Sequence, residues 1–155
     1  PVWLDELAEV GEMDRILVEA DGAASRYFKA PLEYEPVVPG HCPLILWVMA
    51  IKALGKPIGP ETIHRSERVA ALLGVEFGTP LTQGHILQLL KQPSGCLKGI
   101  PKGSRIIALF NQADSEGELR SARELGRGAI QQGCIERVVI TSYLEKNAVR
   151  ELIGS

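Results

Sequence analysis

The stretch Arg105-Ile-Ile-Ala-Leu-Phe-Asn-Gln-Ala-Asp-Ser115, followed by a helical pattern to Gln132, decides the fold class. Its first six residues form a compact run rich in β-branched and aromatic side chains, the signature of a buried strand. Ser115 with Glu118 three residues on makes a capping box, and Gly133 closes the periodic segment that follows. A strand running into a capped helix is one crossover unit of a layered α/β fold.

Three more apolar runs repeat the theme. Arg15-Ile-Leu-Val-Glu-Ala20 ends at Asp21-Gly22, Leu44-Ile-Leu-Trp-Val-Met-Ala50 follows Pro43, and Arg137-Val-Val-Ile140 ends at Thr141-Ser142. Continuous apolarity suits strands covered on both faces. Helical patterns lie between them at Pro60–Leu73, closed by Gly74, and at Thr82–Lys91, closed by Pro93; a short opening helix is expected from Trp3, Leu4, Leu7, Ala8 and Val10. Trp47 and Phe110 are expected in the core. The expectation is a single α/β domain over residues 1–155 with a mainly parallel sheet between two helical layers.

Composition narrows the function classes. The net charge of −2 is scattered, so no basic stripe suits a nucleic acid backbone. The longest apolar run, Pro43 to Ile51, is too short to span a bilayer. Cys42, Cys96 and Cys134 are far apart and form no C-x-x-C pair, which disfavours disulfides and zinc and fits a cytoplasmic protein. His41, Cys42 and His85 have no partner at metal-ligand spacing.

Ligands of parallel α/β sheets sit beyond the carboxyl ends of the strands, so those ends carry the functional reading. The first expected strand ends Glu19-Ala-Asp-Gly22, carboxylates that could orient the water shell of Mg²⁺ beside a glycine that lets a phosphate approach. The same Asp-Gly is also an ordinary turn. Asn111-Gln-Ala-Asp114 matches the N-[KQ]-x-D pattern of guanine-binding GTPases, in which the Asp carboxylate accepts from guanine N1 and N2; Asp114 or Ser115 could equally be a helix N-cap. Thr141-Ser142 stands where related GTPases bring a small hydroxyl residue to the base. No G-x-x-x-x-G-K-[ST] occurs in the chain, so a phosphate-binding loop, with its strand, is expected upstream of Pro1.

Seven ordered motifs carry a resemblance over essentially the whole chain: Ile16-Leu-Val-Glu-Ala-Asp-Gly22, Phe28-Lys-Ala-Pro31, Glu35-Pro-Val-Val-Pro39, Ala53-Leu-Gly-Lys-Pro57, Ile63-His-Arg65, Leu97-Lys-Gly99 and Asn111-Gln-Ala-Asp114. Together they resemble the selenium-dependent hydroxylase accessory protein family known as YqeC. The resemblance implies a P-loop NTPase-like fold, here lacking the N-terminal strand and phosphate loop. It also implies binding of GTP or ATP with Mg²⁺, NTP hydrolysis when that loop is present, and a role in maturing selenium-dependent molybdenum hydroxylases. The partners implied are the hydroxylase or its maturation proteins, with the molybdenum cofactor as cargo.

By the same resemblance Glu19 and Asp21 are the catalytic and Mg²⁺-side carboxylates, acting through water. Gly22, Asn111, Asp114 and Ser142 would bind nucleotide, and Arg26, Lys29, Glu35, His64 and Arg65 would form a phosphate or partner loop, with Lys98 a weaker candidate. Glu19-x-x-Gly22 further resembles the E-x-x-G element of metallochaperone GTPases. The alternative is a non-hydrolytic module that holds a molybdenum-pterin or selenium species, or docks the hydroxylase.

Overall fold

The computed structural model describes residues 2–11 and 13–154. In chain order the elements are α1 (Val2–Val10), β1 (Phe28–Lys29), β2 (Leu44–Ala50), a 3-10 turn (Ile51–Ala53), β3 (Ile63–His64), α2 (Ser66–Leu73), α3 (Gln83–Lys91), β4 (Arg105–Asn111), α4 (Glu116–Gln131), β5 (Arg137–Thr141) and β6 (Val149–Ile153).

Four strands form the main sheet in the order β2-β4-β5-β6, parallel at the first two junctions and antiparallel at the last. β1 and β3 form a separate parallel pair that joins Phe28 to Ile63 and Lys29 to His64. The mixed, mostly parallel α/β class is as the apolar runs imply.

The strands alternate between a covered and an open face. Ala108, Phe110, Val138 and Ile140 are completely buried, and Trp47 meets Phe110 edge to face at 6.1 Å and 82°. α4 covers this side so closely that a Cβ on Gly126 would lie 3.2 Å from a Val138 methyl. Leu87 of α3 packs against Gly128 of α4, and α2 packs on α3. On the other face a row in register runs Val48, Leu109, Val139, Leu152 across all four strands. Val48 and Leu152 are 53% and 60% exposed, and no described helix covers them. On this face the sheet is open at Val48 and Leu152, where a second helical layer was expected.

Two further expectations are corrected. Arg15–Ala20 is not a strand: it has no regular structure, and Leu17 is 92% exposed. Apolarity makes a strand only where a neighbour supplies ladder hydrogen bonds, and no described strand flanks β2 on its outer side. The helix expected from Pro60 begins only at Ser66, because Thr62 and Ile63 turn back on the Gly59 carbonyl and Ile63 pairs with β1. Gly74 ends that helix in the left-handed region, at φ 69°, which a residue without Cβ adopts without strain. β6 was not anticipated. α1, α3, β4, α4 and β5 fall where the sequence places them, with Thr82 and Ser115 both capping as full boxes.

Candidate functional site

The best-defined site is built at the carboxyl ends of β2, β4 and β5. Glu118 accepts from the backbone N–H groups of Asp114 (2.9 Å) and Ser115 (2.8 Å), and the Ser115 hydroxyl accepts from Glu118 N–H (3.2 Å). Helix capping is thus done by Ser115 and Glu118, which leaves the Asp114 carboxylate available for other contacts. Its Oδ1 accepts from the buried Ser142 hydroxyl at 2.7 Å, and its Oδ2 from the Lys52 ammonium at 2.5 Å. The hydrogen bond from Lys52, then that from Ser142, hold the Asp114 carboxyl below its usual range. The Asp114 hydrogen bond correspondingly raises the Lys52 ammonium.

Asp114 and Lys52 sit in the wall of a cavity of about 370 Å³ that is also lined by Tyr27, Gln112, Tyr143 and Leu144. Gln112 adopts a left-handed φ of 58°, a strained conformation that clusters at binding sites. Tyr27 lies under the Lys56 ammonium, 5.0 Å from its ring centre, while Tyr143 and Leu144 are 71% and 80% exposed. The result is a partly apolar slot with one anion and one cation on a wall, which suits a flat heterocycle bearing both donors and acceptors. Asn111 belongs to the same strand tip, but its Oδ1 is buried without a partner among the described residues, as is Thr141 Oγ1.

The second cluster gathers charges from the proline-rich segment and β3. Glu35 accepts both terminal nitrogens of Arg65, Nη2 at 2.7 Å, together with the Leu32 N–H at 3.3 Å. This bidentate pair, with Arg65 the leading cause, brings the Glu35 carboxyl from 4.5 down to about 2. Lys29 bonds the Asp21 carboxylate and the Gly22 carbonyl (3.0 Å) and lies 3.5 Å from Glu35. Asp21, Gly22, Lys29, Glu35 and Arg65 are therefore brought together, although Glu19 and Asp21 leave a loop and not a strand tip. Glu19 is exposed, with its carboxylate beside Gly22. Arg26, His64 and Arg65 line a separate cavity of about 250 Å³.

Magnesium needs only one or two protein carboxylates when phosphates complete its shell. Glu19 and Asp21 meet that modest requirement as a donor set, although Lys29 now counters Asp21. No group of three metal-ligating side chains gathers among the described residues. No described helix is long and apolar enough to cross a membrane.

Lys52, Tyr27, Tyr143 and Leu144 were not foreseen. Lys52 had a readable signal, a lone charge inside the apolar run Val48-Met-Ala-Ile-Lys-Ala53 just past a strand end. Lys98 plays a structural part, since its ammonium donates to the carbonyls of Leu32 (2.8 Å), Glu33 and Glu35 (3.0 Å) and so ties down the loop that carries Glu35.

A family model described as YqeC protein matches residues 1–67, which include the whole charged cluster from Glu19 to Arg65. The chain is 30% identical over 149 residues to the protein named "Uncharacterized protein YqeC" of Escherichia coli (strain K12), covering 96% of this chain and 58% of that one. The chain thus spans a little over half the length of that relative. No solved structure matches it. The likeness runs over nearly the full sequence, and the chain belongs to the YqeC family.

Proposed function

We propose that this protein is a cytoplasmic, P-loop NTPase-like accessory protein that binds GTP or ATP with Mg²⁺ and assists maturation of selenium-dependent molybdenum hydroxylases. The observation that carries the nucleotide reading is the Asp114 carboxylate, relieved of capping by Ser115 and Glu118 and set in the wall of a slot at the carboxyl ends of the strands. In this reading the base lies between Tyr27 and the Tyr143–Leu144 segment, Asp114 accepts from its ring and exocyclic N–H groups, and Ser142 holds the carboxylate in place. The loop from Arg26 to Glu35 responds to the terminal phosphate. Glu19 and Asp21 are the carboxylates that would meet the water shell of Mg²⁺, which would supply charge neutralisation for phosphoryl transfer to water. Nucleotide state would then gate contact with the hydroxylase or its maturation proteins.

A second reading is a non-hydrolytic module that holds a molybdenum-pterin or selenium species, or docks the hydroxylase. The pairing of Asp114 with Lys52 and of Asp21 with Lys29 favours it, since both carboxylates are already neutralised without nucleotide. Calorimetric titration of the intact protein with non-hydrolysable GTP and ATP analogues in Mg²⁺ separates the two. Binding of the GTP analogue that Asp114→Ala weakens by about tenfold or more is expected, because hydrogen bonds to a charged group are lost. Well-folded protein that binds neither analogue overturns the nucleotide reading, and titration with molybdenum-pterin then tests the second.

A further inference from the structure

The slot at the strand tips presents a pattern of donors and acceptors that can be followed atom by atom. The Asp114 carboxyl lies below its usual range, so at neutral pH it is an acceptor only. An ionised carboxylate offers about four lone-pair positions, shared equally between its oxygens. The buried Ser142 hydroxyl takes one on Oδ1 at 2.7 Å, and the Lys52 ammonium takes one on Oδ2 at 2.5 Å. One position stays open on each oxygen, the arrangement that accepts two parallel N–H groups.

Lys52 completes the pattern. Its ammonium carries three donors and no acceptor, and Asp114 engages one of them. The side chain lines the slot and is 33% exposed, so its remaining N–H groups meet water or an acceptor on a ligand. From Oδ1 to Lys52 the wall therefore reads acceptor, acceptor, donor. Its complement is a planar edge with an exocyclic amino group, a ring N–H and a carbonyl in sequence. Tyr27, Tyr143 and Leu144 supply the apolar surface that a flat ring needs.

We propose that the slot selects this aminopyrimidinone edge, with Asp114 accepting from the amino and ring N–H groups and Lys52 donating to the carbonyl as the residue that sets specificity. Guanine and pterin both carry the edge. The inference thus rests on the base-binding reading of the slot and narrows it, and it applies equally to the pterin of the second reading. Adenine is rejected, because it offers a single donor and its neighbouring ring nitrogen turns a lone pair toward the carboxylate. Hypoxanthine lacks the amino group. Lumazine, the pteridine with oxygen in place of that amino group, sets a carbonyl against Asp114.

The test is amide NMR of the intact protein, following the slot residues during titration with guanosine, inosine and adenosine monophosphates, which share one phosphate, and with neopterin and lumazine, all without Mg²⁺. Guanosine monophosphate is expected to bind about tenfold or more tightly than the other two nucleotides, or neopterin than lumazine by the same factor, since hydrogen bonds to a charged group are lost. Selectivity for guanosine alone identifies a nucleotide as the source, and selectivity for neopterin alone identifies a pterin; either supports the edge, as do both together. Lys52→Met is expected to weaken the preferred ligand about tenfold and adenosine monophosphate not at all, while Lys52→Arg, which keeps a donor, retains most of the affinity. A Lys52→Met protein that binds the preferred ligand as well as the native one, or better, overturns the assignment, because Lys52 is then only a counterion that the base displaces. Equal affinity for the three nucleotides and for the two pteridines overturns the selectivity and leaves the nucleotide reading standing. Absence of binding by all five probes overturns this inference, whereas the nucleotide reading is decided separately by the triphosphate analogues.

Discussion

Replacing Glu35 by Gln keeps the shape of the side chain and removes the charge that Arg65 and Lys29 face. In the folded protein the carboxyl lies at about 2 against an ordinary 4.5, a difference worth about 3 kcal/mol between its two protonation states. The paired side chains are 18% and 19% exposed, so water screens the pair and about 1–2 kcal/mol is the expected measurable share. The folded-state pKa is depressed. The stabilisation is therefore fully present above 4.5 and is lost as pH falls from there through about 2. Glu35→Gln also leaves Arg65 short of its acceptor, a penalty that does not depend on pH over this range. Urea unfolding of both proteins from neutral pH to about pH 3 separates the two parts. The stability gap between them is expected to narrow by about 1 kcal/mol on acidification. A gap of constant size would refute the assignment of the depressed carboxyl to this ion pair.

Lys52→Met is expected to raise the Asp114 carboxyl toward its ordinary range, read by carbon NMR of the carboxyl through an acid titration; an unchanged titration would place Ser142 and not Lys52 as its main partner. Gly126→Ala is expected to destabilise by about 1–3 kcal/mol, since its Cβ would press on both Val138 methyls (3.2 and 3.3 Å) and on Ile153 (3.4 Å) across the α4–sheet junction. Gly117→Ala, in the same helix with only the Ser115 hydroxyl at 3.9 Å, is expected to stabilise by about 0.4–1 kcal/mol; thermal melts that rank the two the other way would contradict the packing of α4. Gly95→Ala is expected to cost more than Gly126→Ala, because its Cβ would fall 1.9 Å from the Leu89 carbonyl oxygen, and equal losses in urea unfolding would count against the turn that follows α3.

What the sequence made legible was what local chemistry encodes. β4 and α4 were readable because an uninterrupted apolar run and a capping box are each complete within a short stretch of chain. The same logic misled at Arg15–Ala20, where apolarity is present but no described strand lies alongside. β6 was hidden for the opposite reason. Val149-Arg-Glu-Leu-Ile153 carries two charges that read as surface. Arg150 donates to the Ala113 carbonyl at 2.8 Å and Glu116 at 2.9 Å, and Glu151 takes Arg123, so distant partners make the strand tolerable. Asp114 and Ser142 were found from motif order at the strand tips. Lys52 reaches Asp114 across 62 residues of sequence, and no local pattern states that contact.

The two cavities are joined by a single peptide step. Arg26 lines the cationic one and its neighbour Tyr27 lines the slot that holds Asp114. Tyr27 is fixed on both sides by its backbone: its N–H donates to the Thr62 carbonyl and its carbonyl accepts from Ala50 N–H, both at 3.0 Å. Ala50 is the last residue of β2 and leads through the 3-10 turn to Lys52, while Thr62 leads through β3 to His64, Arg65 and Ser66. One residue therefore stitches the strand that leads to the Asp114 counterion to the strand that leads to His64 and Arg65. Residues 26 and 27 lie in the bend that leads into β1, and their side chains line separate cavities. A ligand long enough to occupy both would lie across this peptide, with a flat apolar end against Tyr27 and an anionic end toward Arg26, the polarity that a nucleotide has.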